Sequence, residues 1–328
     1  MTDKMKQAAT GALKGVLNLS ATEKLLVITD DERLEIGRAF AAGAEALGAA
    51  FDLYCLPADQ RPLSEVPEHL AKLSKGAQVT VNCFGAMADE TPFRINLIRG
   101  LLAAGQRVGH APGITESMMS DGPLNVDFAD LRHKASAMIA RLRESSYLRV
   151  TAPGGTDATF YVEGRGWDTD LVIGPGQFGN LPCGEIWCAP VETLGEGIVV
   201  CDGSIGDLGA VPSPVTIVVD RGRVQSVACD DADFGARVEQ LLAIDDEAKI
   251  IGEFGIGINP QARITGNLLE DEKAFRTAHV AFGNNEEMPG GKNRSRTHRD
   301  FLFREPNITV HYVDGSAAQI VEAGLANY

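Results

Sequence analysis

The sequence has no Cys-x-x-Cys pair: its six cysteines, Cys55, Cys83, Cys183, Cys188, Cys201 and Cys229, are scattered along the chain. That excludes a zinc ribbon and a thioredoxin-type redox motif, and it points to buried free thiols. No apolar run approaches the roughly 20 residues of a membrane-spanning helix. In the first 19 residues the apolar side chains are dispersed rather than gathered into a signal-peptide core, so a cytoplasmic protein is expected. Basic residues are in deficit: 30 Lys and Arg stand against 45 Asp and Glu, a formal charge of −15. Nucleic acid and anionic membranes are therefore poor partners. No Gly-x-Gly-x-x-Gly follows the first apolar run, which argues against a dinucleotide site in the strict sense. Neither a repeat of fixed period nor a low-complexity tract occurs.

What is present has an ordinary globular composition. Of 328 residues, 44% are hydrophobic and 23% charged, which is enough for two domains whose cores need no disulfide. From Lys24 onward, short apolar runs alternate with amphipathic segments. Residues 25–29, 51–55 and 78–83 read as buried strands, with a shorter fourth run at 106–109. Helices fit through Ile36, Phe40, Ala44 and Leu47, and over residues 65–75 and 93–104. A helix over residues 126–143, with Leu131, Ala135, Met138 and Leu142 on one face, closes this region. The β-α-β rhythm predicts a Rossmann-like, doubly wound parallel α/β domain over residues 1–145. After Ser146, glycine and β-branched residues become common. Residues 148–151, 159–162 and 197–201 read as strands and 215–224 as a hairpin. Residues 146–328 are thus expected to form a β-rich α+β domain.

Doubly wound sheets present functional side chains at the carboxyl ends of their strands. Asp30, Gly85 and His110 occupy those positions, with His110 opening the turn-rich loop Ala111-Pro112-Gly113. In the second domain, residues 252–300 gather two imidazoles, several carboxylates and many glycines, the composition of a metal site. His298 and Asp300 are two apart, so on an extended strand both project from one face. His279 lies in the apolar run Thr277-Ala278-His279-Val280-Ala281-Phe282, where an imidazole is costly unless its nitrogens are satisfied. A core histidine bonded to a carbonyl, beside a solvated His-x-Asp pair, would leave the same pattern. Glu185, in Gly184-Glu185-Ile186-Trp187-Cys188, is flanked by apolar residues and turn formers. A carboxylate confined there needs a cation, either a metal or an arginine.

Taken together, Asn180-Leu181-Pro182-x-Gly184-Glu185, Glu253-x-Gly255-Ile256-Gly257-x-Asn259-Pro260, His279-Val280-Ala281-Phe282-Gly283 and His298-x-Asp300 resemble the aminopeptidase T family of metallopeptidases. The resemblance covers roughly residues 150–325. It implies a metal-binding second domain whose ligands are Glu185, Glu253, His279, His298 and Asp300. They would hold two divalent ions, zinc, cobalt or manganese, that activate a water to cleave an amide bond. Glu253 or Glu272 could carry the proton, and His110 could bind substrate or its leaving group. Lys292 and Arg294 could hold a substrate carboxylate. The family's tyrosine shortly after the first histidine is missing, since Asn284-Asn285-Glu286-Glu287 stands there. The same resemblance extends to a ferrous ring-cleaving dioxygenase acting on a dihydroxypyridine. His279, His298 and Asp300 would then supply the two-histidine, one-carboxylate set for Fe(II). A small-molecule or short-peptide substrate and a homodimer are implied by the resemblance alone.

Overall fold

The computed structural model describes residues 1–85 and 87–328. The chain forms two compact units. One comprises Met1–Leu131, Asp170–Cys183 and Pro260–Ala262, and the other Arg132–Thr169, Gly184–Asn259 and Arg263–Tyr328. The chain thus crosses from one unit to the other five times, whereas its composition changes only once, near residue 146.

The first unit is built on a parallel sheet of five strands in the order Ala50–Cys55, Lys24–Thr29, Val79–Asn82, Arg107–His110 and Phe178–Asn180. The doubly wound expectation holds. Lys24–Thr29 is buried along almost its whole length because strands pair with it on both edges and crossover helices cover the faces of a parallel sheet. Helices Leu34–Ala46, Glu68–Ser74 and Thr91–Ala103 supply the crossovers. Leu26, Ile28, Leu70, Phe84, Phe93, Leu97 and Val108 form one apolar cluster. Two elements were not anticipated. Asp3–Gly15 is a helix capped by the Thr2 hydroxyl, and it packs on Leu34–Ala46. Phe178–Asn180 is too short and too glycine-rich to announce itself as a strand, yet it completes the sheet beside Arg107–His110.

The second unit holds two antiparallel sheets. The eight-stranded sheet includes Ser145–Thr151, Asp157–Tyr161, Glu196–Cys201 and the hairpin Val215–Asp220/Arg223–Cys229. The seven-stranded sheet carries, side by side, Glu185–Cys188, Ile251–Gly257, Thr277–Gly283 and His298–Arg304. Ile251–Gly257 and Thr277–Gly283 are buried at every position, because both faces of the sheet are covered there. Among the described residues, no helix is long and apolar enough to cross a membrane.

Candidate metal centre

The four strands that carry the candidate ligands are neighbours, and their register decides which side chains meet. Gly257 pairs with Glu185, Gly255 with His279, Ala281 with both Glu253 and Asp300, and Gly283 with His298. Residues two apart on a strand share a face, so all five candidate ligands fall on one face of the sheet. Each ligand stands opposite a glycine or an alanine, which leaves space for the functional groups.

The most telling of these positions is Gly255. A Cβ built there would lie 2.0 Å from His279 Nε2, so the imidazole fills the room that any other residue would need. The ring is thereby aimed at the carboxylates. His279 Nε2 lies 3.3 Å from Glu253 Oε1 and 3.6 Å from Glu185 Oε2. His298 Nε2 lies 3.1 Å from Glu253 Oε2 and 3.5 Å from Asp300 Oδ1. The two oxygens of Glu253 therefore face different imidazoles.

Two sets of ligand atoms result, Glu185–Glu253–His279 and Glu253–His298–Asp300, each with all its atoms within 4.8 Å of one another. Glu253 belongs to both. Hard oxygen donors mixed with imidazole suit a divalent cation. Surrounding groups fit that use. His298 Nδ1 donates to the Asn284 carbonyl at 2.7 Å, which turns Nε2 toward the carboxylates as the nitrogen that would be offered to a metal. His279 Nδ1 is buried without a hydrogen-bond partner among the described residues. Glu185, Glu253, His279 and Asp300 are buried, while the His298 side chain remains 32% exposed and marks the open side of the cluster.

The electrostatics call for positive charge. Burial alone would raise the Glu253 carboxyl, but hydrogen bonds from His279 and His298 hold it down at about 2. Burial would lower His279, and the hydrogen bond and charge of Glu253 overcome this, raising it to about 9. His298 is likewise driven well above the ordinary imidazole value, against its burial, by Asp300 and Glu253. A cluster that binds protons this firmly is one in which carboxylates outnumber the available cations, and a divalent ion would meet the same need.

Glu185 also meets a cation that the sequence concealed. Lys273, with no solvent exposure, places Nζ 2.9 Å from Glu185 Oε1 and also pairs with Glu272. A lysine beside the acidic run Glu270-Asp271-Glu272 reads as a surface residue. It is buried because Asp271, whose oxygens take the Thr265 and Gly266 N–H groups, ties that turn down. Burial raises the Glu272 carboxyl to about 8; Lys273 opposes the rise, and Glu185 and Asp300 add to it.

The remaining candidates belong to neither ligand set. His110 belongs to the first unit, at the carboxyl end of Arg107–His110, with Nδ1 2.6 Å from Asn82 Oδ1. Lys292 and Arg294 are exposed, and Arg294 pairs with Glu286. His69 and His133 are exposed, and His311 stacks on Tyr147 with centroids 4.3 Å apart.

Comparison with known proteins accords with this geometry. No curated protein matches the sequence. Among solved structures, the 2,5-dihydroxypyridine dioxygenase of Pseudomonas putida superposes with a TM-score of 0.74 at 19% identity, covering 100% of this chain and 98% of that one. Wild-type AmpT from Thermus thermophilus superposes with a TM-score of 0.69 at 17% identity, covering 99% of each chain. At such identities the likeness is one of fold. The family model described as thermophilic metalloprotease (M29) matches residues 126–325, a stretch that contains all five candidate ligands and more than half of the sequence. The chain belongs to the M29 metalloprotease family.

Proposed function

We propose that the protein is a metal-dependent hydrolase of the aminopeptidase kind, cleaving an amide bond in a small or short-peptide substrate. The observation that carries this reading is the sharing of Glu253 between two ligand sets, each with one imidazole and two carboxylates. Such a pair of sets suits two divalent ions, zinc, cobalt or manganese, joined by a common carboxylate. When bound, the ions supply Lewis acidity and a water of lowered pKa.

Glu185, Glu253, His279, His298 and Asp300 would hold them. Glu272, which Lys273 ties to the edge of the cluster beside Glu185, is the candidate proton carrier, with Glu253 as the other candidate. His110 is the candidate ligand-binding group of the first unit. A cytoplasmic homodimer completes the reading.

The ferrous dioxygenase is the alternative. It would draw on two imidazoles and one carboxylate, His279, His298 and Asp300, whereas both close sets have the opposite ratio. Metal analysis of protein purified without added metal, with parallel assays of leucine p-nitroanilide hydrolysis and of oxygen uptake on 2,5-dihydroxypyridine, separates the two. Two divalent ions per chain with amide cleavage is the expected result. One iron per chain with oxygen uptake would overturn the proposal.

A further inference from the structure

His110 and Asn82 end adjacent parallel strands and are register partners. Asn82 is 1% exposed, and its Oδ1 lies 2.6 Å from His110 Nδ1 and 3.4 Å from the Ala111 N–H. The second contact fixes the amide. Turned the other way, Asn82 would present its NH2 to a backbone N–H, donor against donor. With Oδ1 in place, the short contact to Nδ1 is a hydrogen bond only if Nδ1 carries the proton. A neutral imidazole has one N–H, so Nε2 is left with the lone pair.

We propose that Asn82 is a positioning residue that holds His110 as the Nδ1–H tautomer, so that Nε2 serves as hydrogen-bond acceptor for an O–H or N–H group of a bound ligand. No protein group among the described residues bonds to Nε2. The other half of the Asn82 amide is unspent as well: Nδ2 is buried with no partner among the described residues. An unmatched buried amide donor is destabilising, and a ligand oxygen there would remove the cost. Burial also lowers the imidazole to about 3, so it stays neutral and keeps its lone pair through the working pH range. The ligand class is therefore a hydroxyl, amino or amide group that gives a proton to the bond. That class includes the amino-terminal end of a peptide, in which case the inference rests on the hydrolase reading above.

The test is ring-nitrogen NMR on the full-length protein labelled at histidine, with Asn82→Leu, Asn82→Asp and His110→Gln compared with wild type. Wild type should show an unprotonated Nε2 and a protonated Nδ1. Asn82→Asp keeps the acceptor oxygen and should keep that tautomer. Asn82→Leu should give a mixture of tautomers, with KM for leucine p-nitroanilide raised about tenfold and the melting temperature controlled in parallel. A protonated Nε2 in wild type, or an Asn82→Leu spectrum identical to wild type, overturns the proposal. If the tautomers behave as stated while His110→Gln leaves KM unchanged, control by Asn82 stands and the ligand-binding part is overturned. If leucine p-nitroanilide is not hydrolysed at all, the spectra alone decide on Asn82, and it is the hydrolase reading that fails.

Discussion

Lys273 sets its ammonium 2.9 Å from Glu185 Oε1 while no part of its side chain reaches solvent. Removing one member of a buried ion pair leaves the other as an uncompensated charge, which costs about 3–5 kcal/mol. Lys273→Met should therefore lose stability of that order in metal-free protein. Part of the loss should return when a divalent ion is added, because the ion then neutralises Glu185. Denaturant melts with and without metal measure this. Equal losses in both conditions would show that Glu185 does not face the ion.

Gly255→Ala should displace His279. The added Cβ would meet the imidazole at 2.0 Å, and the ring, 1% exposed, has no open side into which to retreat. Overpacking of this kind costs about 1–3 kcal/mol, and metal stoichiometry should fall with it. Gly100→Ala is the control: nothing lies within 4 Å of its Cβ position, and it sits on the exposed side of helix Thr91–Ala103. There the melt should show a gain of up to about 1 kcal/mol.

Chelation should lower the melting temperature, and re-addition of metal should restore it. A ligand present at 100 times its dissociation constant stabilises by about 2.7 kcal/mol. His298→Ala should shrink that response, because it removes the only imidazole from the Glu253–His298–Asp300 set. A response of full size in this variant, read by calorimetry, would place the metal elsewhere.

Acid should weaken the first unit through a different cluster. Arg61 bridges Asp30, at 2.7 Å, and Glu90, at 2.6 Å, and Asp30 also accepts from the Gly85 N–H. Both carboxyls are held below their ordinary values of 3.8 and 4.5: burial works to raise them, and the Gly85 N–H and Arg61 for Asp30, and Arg61 for Glu90, outweigh it. A carboxyl lowered by folding binds fewer protons in the native state. Its contribution is full above the ordinary value and is lost as the pH falls through the native one. Stability should thus decline as the pH drops below about 4.5, and Arg61→Ala, at a cost of about 3–5 kcal/mol, should flatten that decline. Urea melts between pH 3 and 6 test both.

How far the sequence discloses this arrangement depends on the length of the pattern. The strand Lys24–Thr29 and the helix Leu34–Ala46 carry enough periodic apolar residues to be seen directly. So does the shared face of His298 and Asp300, because a spacing of two is local to one strand. That Gly255 stands opposite His279 is a matter of register between strands, which no local pattern encodes. Lys273 was hidden for a similar reason. Its burial follows from a turn pinned by Asp271, and adjacent charges suggest solvent. Asn82 gave no signal beyond its place at a strand end.

The edge of the first sheet has a practical bearing on dissecting the molecule. Phe178–Asn180 comes from far downstream, only a few residues before Glu185, yet it pairs with Arg107–His110. A gene truncated after residue 131 or 146 would strip that neighbour away and leave a row of amide and carbonyl groups bare, a surface prone to self-association. Separate expression of the two halves calls for a circular rearrangement or a grafted strand, not a single cut.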